Sequence, residues 1–153
     1  MARIEGLTDA TERTFLAGSL FYLAAWALHS FDHVRRGLFD IDIPVQVLGN
    51  VQVVLTVVFI WMLANRHRLS PTMAIAIGIP ATLGIAMAHL LPDFGSFSDS
   101  LWNDGIDWFT WTAVIIEISG STVLTIVGVK AWREQQVVVD RTSASPVSDS
   151  RSS

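Results

Sequence analysis

Residues 108–129 read WFTWTAVIIEISGSTVLTIVGV, a run in which the one charged side chain is Glu117. A helix on a soluble domain keeps one polar, charged face toward water. This run has none, and it is long enough to cross about 30 Å of hydrocarbon. Three further stretches, 14–31, 43–65 and 69–92, contain no Asp, Glu, Lys or Arg at all. A backbone in lipid must satisfy its own hydrogen bonds, which leaves helices or a closed barrel, and the short alternating strands of a barrel are missing from the sequence. The pattern therefore predicts an all-α polytopic membrane protein. Its four-helix transmembrane bundle occupies 14–132, with helices at about 14–33, 43–65, 70–92 and 107–132. Residues 1–13 are expected to form a short cytoplasmic segment. Residues 133–153 are polar and Ser-rich, and are expected to be a disordered cytoplasmic tail.

Composition agrees and excludes several classes. Of the 153 residues, 51% are hydrophobic and 16% charged, and the mean hydropathy is +0.47. A net charge of −4 leaves no basic footprint for nucleic acid. The absence of cysteine excludes disulfides, thiolate zinc sites, iron–sulfur ligation and thiol catalysis. No phosphate-binding glycine loop, Gly-x-Ser-x-Gly elbow or His-Glu-x-x-His motif occurs. Ala25-Trp26-Ala27 has the form of a signal-peptide cleavage site. However, Glu5, Asp9 and Glu12 offset Arg3 and Arg13, so the basic leader of such a signal is missing and the first span is expected to stay as a helix.

Basic residues orient the bundle. Arg3 and Arg13 precede the first helix, Arg66 and Arg68 separate the second and third, and Lys130, Arg133 and Arg141 follow the fourth. By the positive-inside rule both termini face the cytoplasm of a plasma membrane. The connections after the first and third helices then face outward, the latter carrying Asp93, Asp99, Asp104 and Asp107. Trp102, Trp108 and Trp111 mark the outer border, and Trp61 and Trp132 the inner one, where amphipathic rings prefer to lie.

Helical neighbours are three or four residues apart, and small or polar residues at that spacing mark helix contacts in lipid. The expected inward stripes are Gly18, Tyr22, Ala25, His29 and Asp32 on the first helix and Gln46, Gly49, Asn50, Val53 and Thr56 on the second. On the third they are Ala76, Pro80, Gly84 and Ala88, and on the fourth Ala113, Glu117, Ser121, Thr125 and Gly128. Pro80 removes a backbone hydrogen bond and is expected to bend its helix.

Chemistry concentrates at the outer ends of the first and third helices. His29 and His33 are four apart on one face, as two ligands of one metal must be. His89 precedes the first outer acid of its helix by a similar interval and is expected at the same depth. With Asp32 or Asp93 as oxygen ligand or orienting group, three imidazoles suit Zn²⁺ or Cu²⁺. Arg35 and Arg36 form an adjacent outer basic pair, able to bind Asp32, Asp40, Asp42 or Asp93. Haem b is a second chemical reading, with His29 and His89 as axial ligands. Glu117 lies about 15 Å along the fourth helix, near the bilayer centre, where a carboxyl is costly and a functional hypothesis by default. Its expected partners are Asn50 and Gln46, forming an intramembrane proton site.

His29-Ser30-Phe31-Asp32-His33-Val34-Arg35-Arg36-Gly37, with His89-Leu90-Leu91-Pro92 and Phe97-Ser98-Asp99-Ser100, resembles a set of small four-helix integral membrane proteins of high-GC Gram-positive bacteria. The resemblance implies no activity, cofactor or partner, only that these segments belong together. The residues argue for binding rather than catalysis, by a protein acting alone, as a homo-oligomer, or as an accessory subunit of a membrane complex. The alternatives are an assembly subunit with no cofactor and a proton-coupled small transporter using Glu117.

Overall fold

The computed structural model describes residues 3–37, 42–103 and 105–144, with side chains through Val138. Four helices follow one another: α1 (Asp9–Arg36), α2 (Ile43–Ala64), α3 (Ser70–Leu90) and α4 (Trp108–Ala144). No strand occurs among the described residues. All four helices are long and apolar enough to cross a membrane. The end of α1, the start of α2, the end of α3 and the start of α4 share one end of the bundle, termed the histidine end; residues 3–8, the α2–α3 turn and the far part of α4 share the other.

Helix boundaries follow local chemistry. Thr8 caps α1, its hydroxyl accepting from the Thr11 amide, and Asp107 accepts from the Thr110 amide at 3.0 Å at the start of α4; both arrangements satisfy amides that have no carbonyl partner one turn back. Gly37 ends α1 with φ +105°, a conformation that costs glycine least, and its amide donates to His33 O. At its far end α4 is longer than expected. It stays helical through Ala144, past the boundary expected for the tail, and residues 145–153 lie outside the described range. The extension has packing partners: Glu134 accepts from the Thr8 amide at 2.7 Å, and Gln135 donates to Glu5 O and Arg68 O. Ile4 and Leu7 are buried in the same core as Phe15, Phe59 and Leu124. The N-terminal segment is thus part of the bundle.

Helix α4 is the centre of the packing, lying along both α1 and α3, whereas α2 makes the least extensive contacts. A Cβ on Gly120 would lie 2.8 Å from Ala25 Cβ, and one on Gly18 2.9 Å from the Val127 methyls. Close backbone approach of this kind is how helices associate where lipid supplies no hydrophobic drive. The stripes expected on α1 and α4 are buried as a set, with Tyr22, Ala25, Asp32, Ala113, Glu117 and Ser121 at 1% exposure or less.

On α2 and α3 most of the expected positions are wrong, with Thr56 buried and Gln46 and Ala88 half-buried as the exceptions. Ala76, Pro80 and Gly84 face outward, and the buried face of α3 is Ala74, Ile77, Gly78, Ala81, Ile85 and His89. On α2, Gly49, Asn50 and Val53 are exposed, while Thr56, Phe59 and Met62 are buried. Small residues run along two faces of α3, so composition there did not single out the one in contact. What does is Gly78, where any side chain would collide with Thr125 Oγ1 and lie 2.8 Å from Ser121 O. Gly84 has nothing within 4 Å of a built Cβ. Gly78→Ala should therefore lower stability by about 1–3 kcal/mol through overpacking, while Gly84→Ala should be neutral or slightly stabilising. Denaturation of the two variants in the same detergent checks this; the reverse order would reinstate the Ala76–Gly84 face.

Candidate metal centre

Two helices bring three imidazoles together. His29 and His33 are one turn apart on α1, with ring centroids 4.5 Å apart. His89, in the last turn of α3, places its ring 5.0 Å from that of His29 and 5.9 Å from that of His33. One nitrogen from each ring lies within 4.8 Å of the others. His29 Nε2 and His33 Nε2 are 2.9 Å apart, so one proton joins two nitrogens that would otherwise oppose their lone pairs. A divalent ion would displace that proton.

Neighbouring groups orient the rings. His89 Nδ1 lies 2.7 Å from the Asp99 backbone oxygen; a carbonyl only accepts, so Nδ1 carries hydrogen and Nε2 keeps its lone pair. Metal-binding histidines commonly have this arrangement. The Asp99 carboxylate stands 3.6 Å from His89 Nδ1 and 3.9 Å from His33 Nδ1. Asp99 was not among the expected site residues. It arrives because the 91–107 connection folds back over the end of α3: the Asp99 and Leu101 amides donate to Ala88 O and His89 O, and Trp102 Nε1 donates to Leu90 O. Those carbonyls at the end of a helix would otherwise lack partners.

The arginine pair holds this connection in place. Asp32 is fully buried. Its Oδ1 accepts from Arg35 and Thr110, and its Oδ2 from Arg36. Arg35 continues to Asp107 with contacts of 2.8 and 3.0 Å, and Arg36 to Asp99 at 2.6 and 3.2 Å. Asp32 is therefore the anchor of an arginine clamp rather than a group facing the imidazoles. Asp93 is also elsewhere, accepting from the Gly95 amide and lining an acidic cleft of about 340 Å³ with Asp42 and Asp99. Asp40 and Asp104 lie outside the described residues.

Glu117 is 1% exposed. Its Oε1 accepts from Gln52 Nε2 at 2.8 Å, so Gln52 holds the position expected for Asn50, which is exposed on α2. Gln46 is half-buried nearer the start of α2. Gln52 lies at helical spacing with the buried Thr56 and Phe59, a pattern that the sequence contains but does not by itself select over the Asn50 face. A bis-histidine haem does not fit this arrangement: the His29 and His89 rings meet edge to face with His33 against both, leaving no slot for a macrocycle between them.

No family model, characterised protein or solved structure matches the chain. The geometry alone therefore speaks to function.

Two predictions follow from the clamp. Asp32→Ala leaves two guanidinium groups without their buried anion and should cost about 3 kcal/mol, at the low end for a broken buried pair because Asp99 and Asp107 remain; unfolding in detergent measures it. Acid should act late. Asp107 is drawn down to about 2 by the Thr110 amide and then by Arg35. Partial burial pushes the Asp99 carboxyl up, but its Arg36 hydrogen bond and charge outweigh this and hold it below its ordinary value. Carboxylates with depressed values stabilise the fold above their unfolded values and lose that contribution as pH falls through the folded ones. Tryptophan fluorescence of the Trp102 connection should thus hold steady down to about pH 4 and change toward pH 2; a transition near neutral pH would contradict the clamp.

Proposed function

We propose that the chain is a multi-pass protein of the plasma membrane that binds one divalent transition-metal ion, Zn²⁺ or Cu²⁺, through His29, His33 and His89. The supporting observation is the convergence of three imidazole nitrogens within 4.8 Å, buried or half-buried, with the outward nitrogen of His89 tied to backbone. Nitrogen ligands without sulfur suit these two ions. In this reading the termini are cytoplasmic, as the distribution of Arg and Lys supports, and the histidine end is the outer face. Asp42, Asp93 and Asp99 around the cleft then present negative charge to an arriving cation, and Asp99 links the cleft to the rings.

Exposure of Asn50 among Val47, Val51 and Val54 on α2 supports a lateral partner, a second copy or a larger complex. An amide in hydrocarbon is best satisfied by another helix. Binding rather than turnover is the proposed role.

Elemental analysis of protein purified in mild detergent without chelator, then reconstituted with zinc or copper, tests the proposal. About one ion per chain is expected, with loss in His33→Ala and His89→Ala and retention in His67→Ala, whose imidazole bonds the Leu69 amide in the α2–α3 turn. Wild-type protein that stays metal-free after reconstitution would sink it.

A further inference from the structure

The ring of His29 is set well back from the end of its helix. His29 is seven residues before the end of α1, about 10 Å by helical rise, and on its inner side it meets Glu117. Glu117 Oε2 is 3.6 Å from His29 Nε2, the nitrogen that also faces His33 Nε2. Among the described residues, Glu117 Oε2 and His29 Nδ1 are the buried side-chain atoms without a hydrogen-bond partner. We infer that Glu117 belongs to the metal centre, with Oε2 as its anionic ligand and Gln52 as the positioning residue that holds Oε1; the inference rests on the three-histidine reading.

At His29 Nε2 the spacings suit a coordination shell, although Glu117 stands outside the set of imidazole nitrogens that lie within 4.8 Å of one another. Ligand atoms about 2.0–2.1 Å from a tetrahedral ion lie roughly 3.3 Å from one another. The contacts at His29 Nε2, 2.9 Å to His33 and 3.6 Å to Glu117, bracket that separation. Glu117 reaches the compact histidine set through His29, so closing on an ion requires rotation of its own side chain, with Gln52 as the fixed point. A ligating carboxylate is usually held in this way by a hydrogen bond to its other oxygen.

Charge gives the physical reason. Three neutral imidazoles would leave an ion with its full double charge in a low-dielectric interior, and a buried carboxylate without a cation is costly as well. Each compensates the other. The two arginines described at this end of the bundle, Arg35 and Arg36, are committed to Asp32, Asp99 and Asp107. Asp99 is the competing carboxylate, but both its oxygens receive Arg36 and it faces the Nδ1 side of His33 and His89. It orients rings, whereas Glu117 meets the nitrogen edge of His29 that faces His33.

Cobalt(II) titration of apo wild-type protein, Glu117→Gln, Gln52→Ala and His33→Ala tests this, read by visible absorption and dissociation constant. Glu117→Gln is isosteric; it should bind cobalt at least about tenfold more weakly and with shifted, weaker bands. Gln52→Ala should fall between it and wild type, and His33→Ala should not bind. A zinc-minus-apo infrared difference spectrum supplies a readout from wild type itself, with a carboxylate change expected that disappears in Glu117→Gln. An unchanged constant and spectrum in Glu117→Gln would overturn the role of Glu117 and leave the histidine site standing. Wild-type protein that binds neither cobalt nor zinc would overturn both.

Discussion

The carboxylate of Asp32 is the interaction on which the histidine end depends. It is fully buried and receives two arginines from the last turn of its own helix together with Thr110 of α4. A single buried anion could not offset its desolvation with one exposed partner. Here each guanidinium extends to a second acid, Asp107 or Asp99, and the network joins the end of α1, the start of α4 and the intervening connection. Geometry of this quality is what lets a buried ion pair repay its cost. Because Asp99 is held by Arg36, its backbone oxygen is in place to receive His89, and the α3 ring is set against the two rings of α1.

Below the clamp the polar groups continue inward along the seam between the helices. His29 meets Glu117, Glu117 meets Gln52, and the Tyr22 hydroxyl meets Thr56 Oγ1 at 3.0 Å. These groups face one another while Val47, Val51, Val54 and Leu83 face outward. Turned toward one another, these groups find the partners that acyl chains cannot offer; Asn50, exposed on α2, is the exception. Glycines make it sterically feasible: Gly18, Gly78, Gly120 and Gly128 bring α1 and α3 close against α4, so short polar side chains can meet across the seam.

The opposite end has its own lock. Arg66 of the α2–α3 turn donates to Glu12 at 2.9 Å, and the extension of α4 holds the N-terminal segment through Glu134 and Gln135. A helix of 37 residues spans about 55 Å, well beyond the hydrocarbon thickness, and its outlying turns bind the segment beside them.

By itself the sequence determined that the chain is four apolar helices, because span length and missing charge are read directly from the residues. It also determined the inner faces of α1 and α4, where polar and small residues keep a single helical spacing, and with them His29, His33 and Glu117 as the positions of interest. The rotation of α2 and α3 was decided only by the tertiary structure. On α3 small residues occupy two faces, and on α2 Asn50 and Gln52 point different ways, so the steric demand at Gly78 and the reach of Gln52 to Glu117 choose between them. The same holds for two of the acids. Asp32, Asp93 and Asp99 are equivalent as residue types; Asp32 finds its arginines one turn away on its own helix, a pairing the spacing already offered, but only the folding of the connection back over α3 sends Asp93 to a loop amide and Asp99 to the imidazoles. The physical reason is that spacing along a helix constrains neighbours on that helix, whereas pairing between helices and loops depends on which surfaces fit closely enough to exclude everything else.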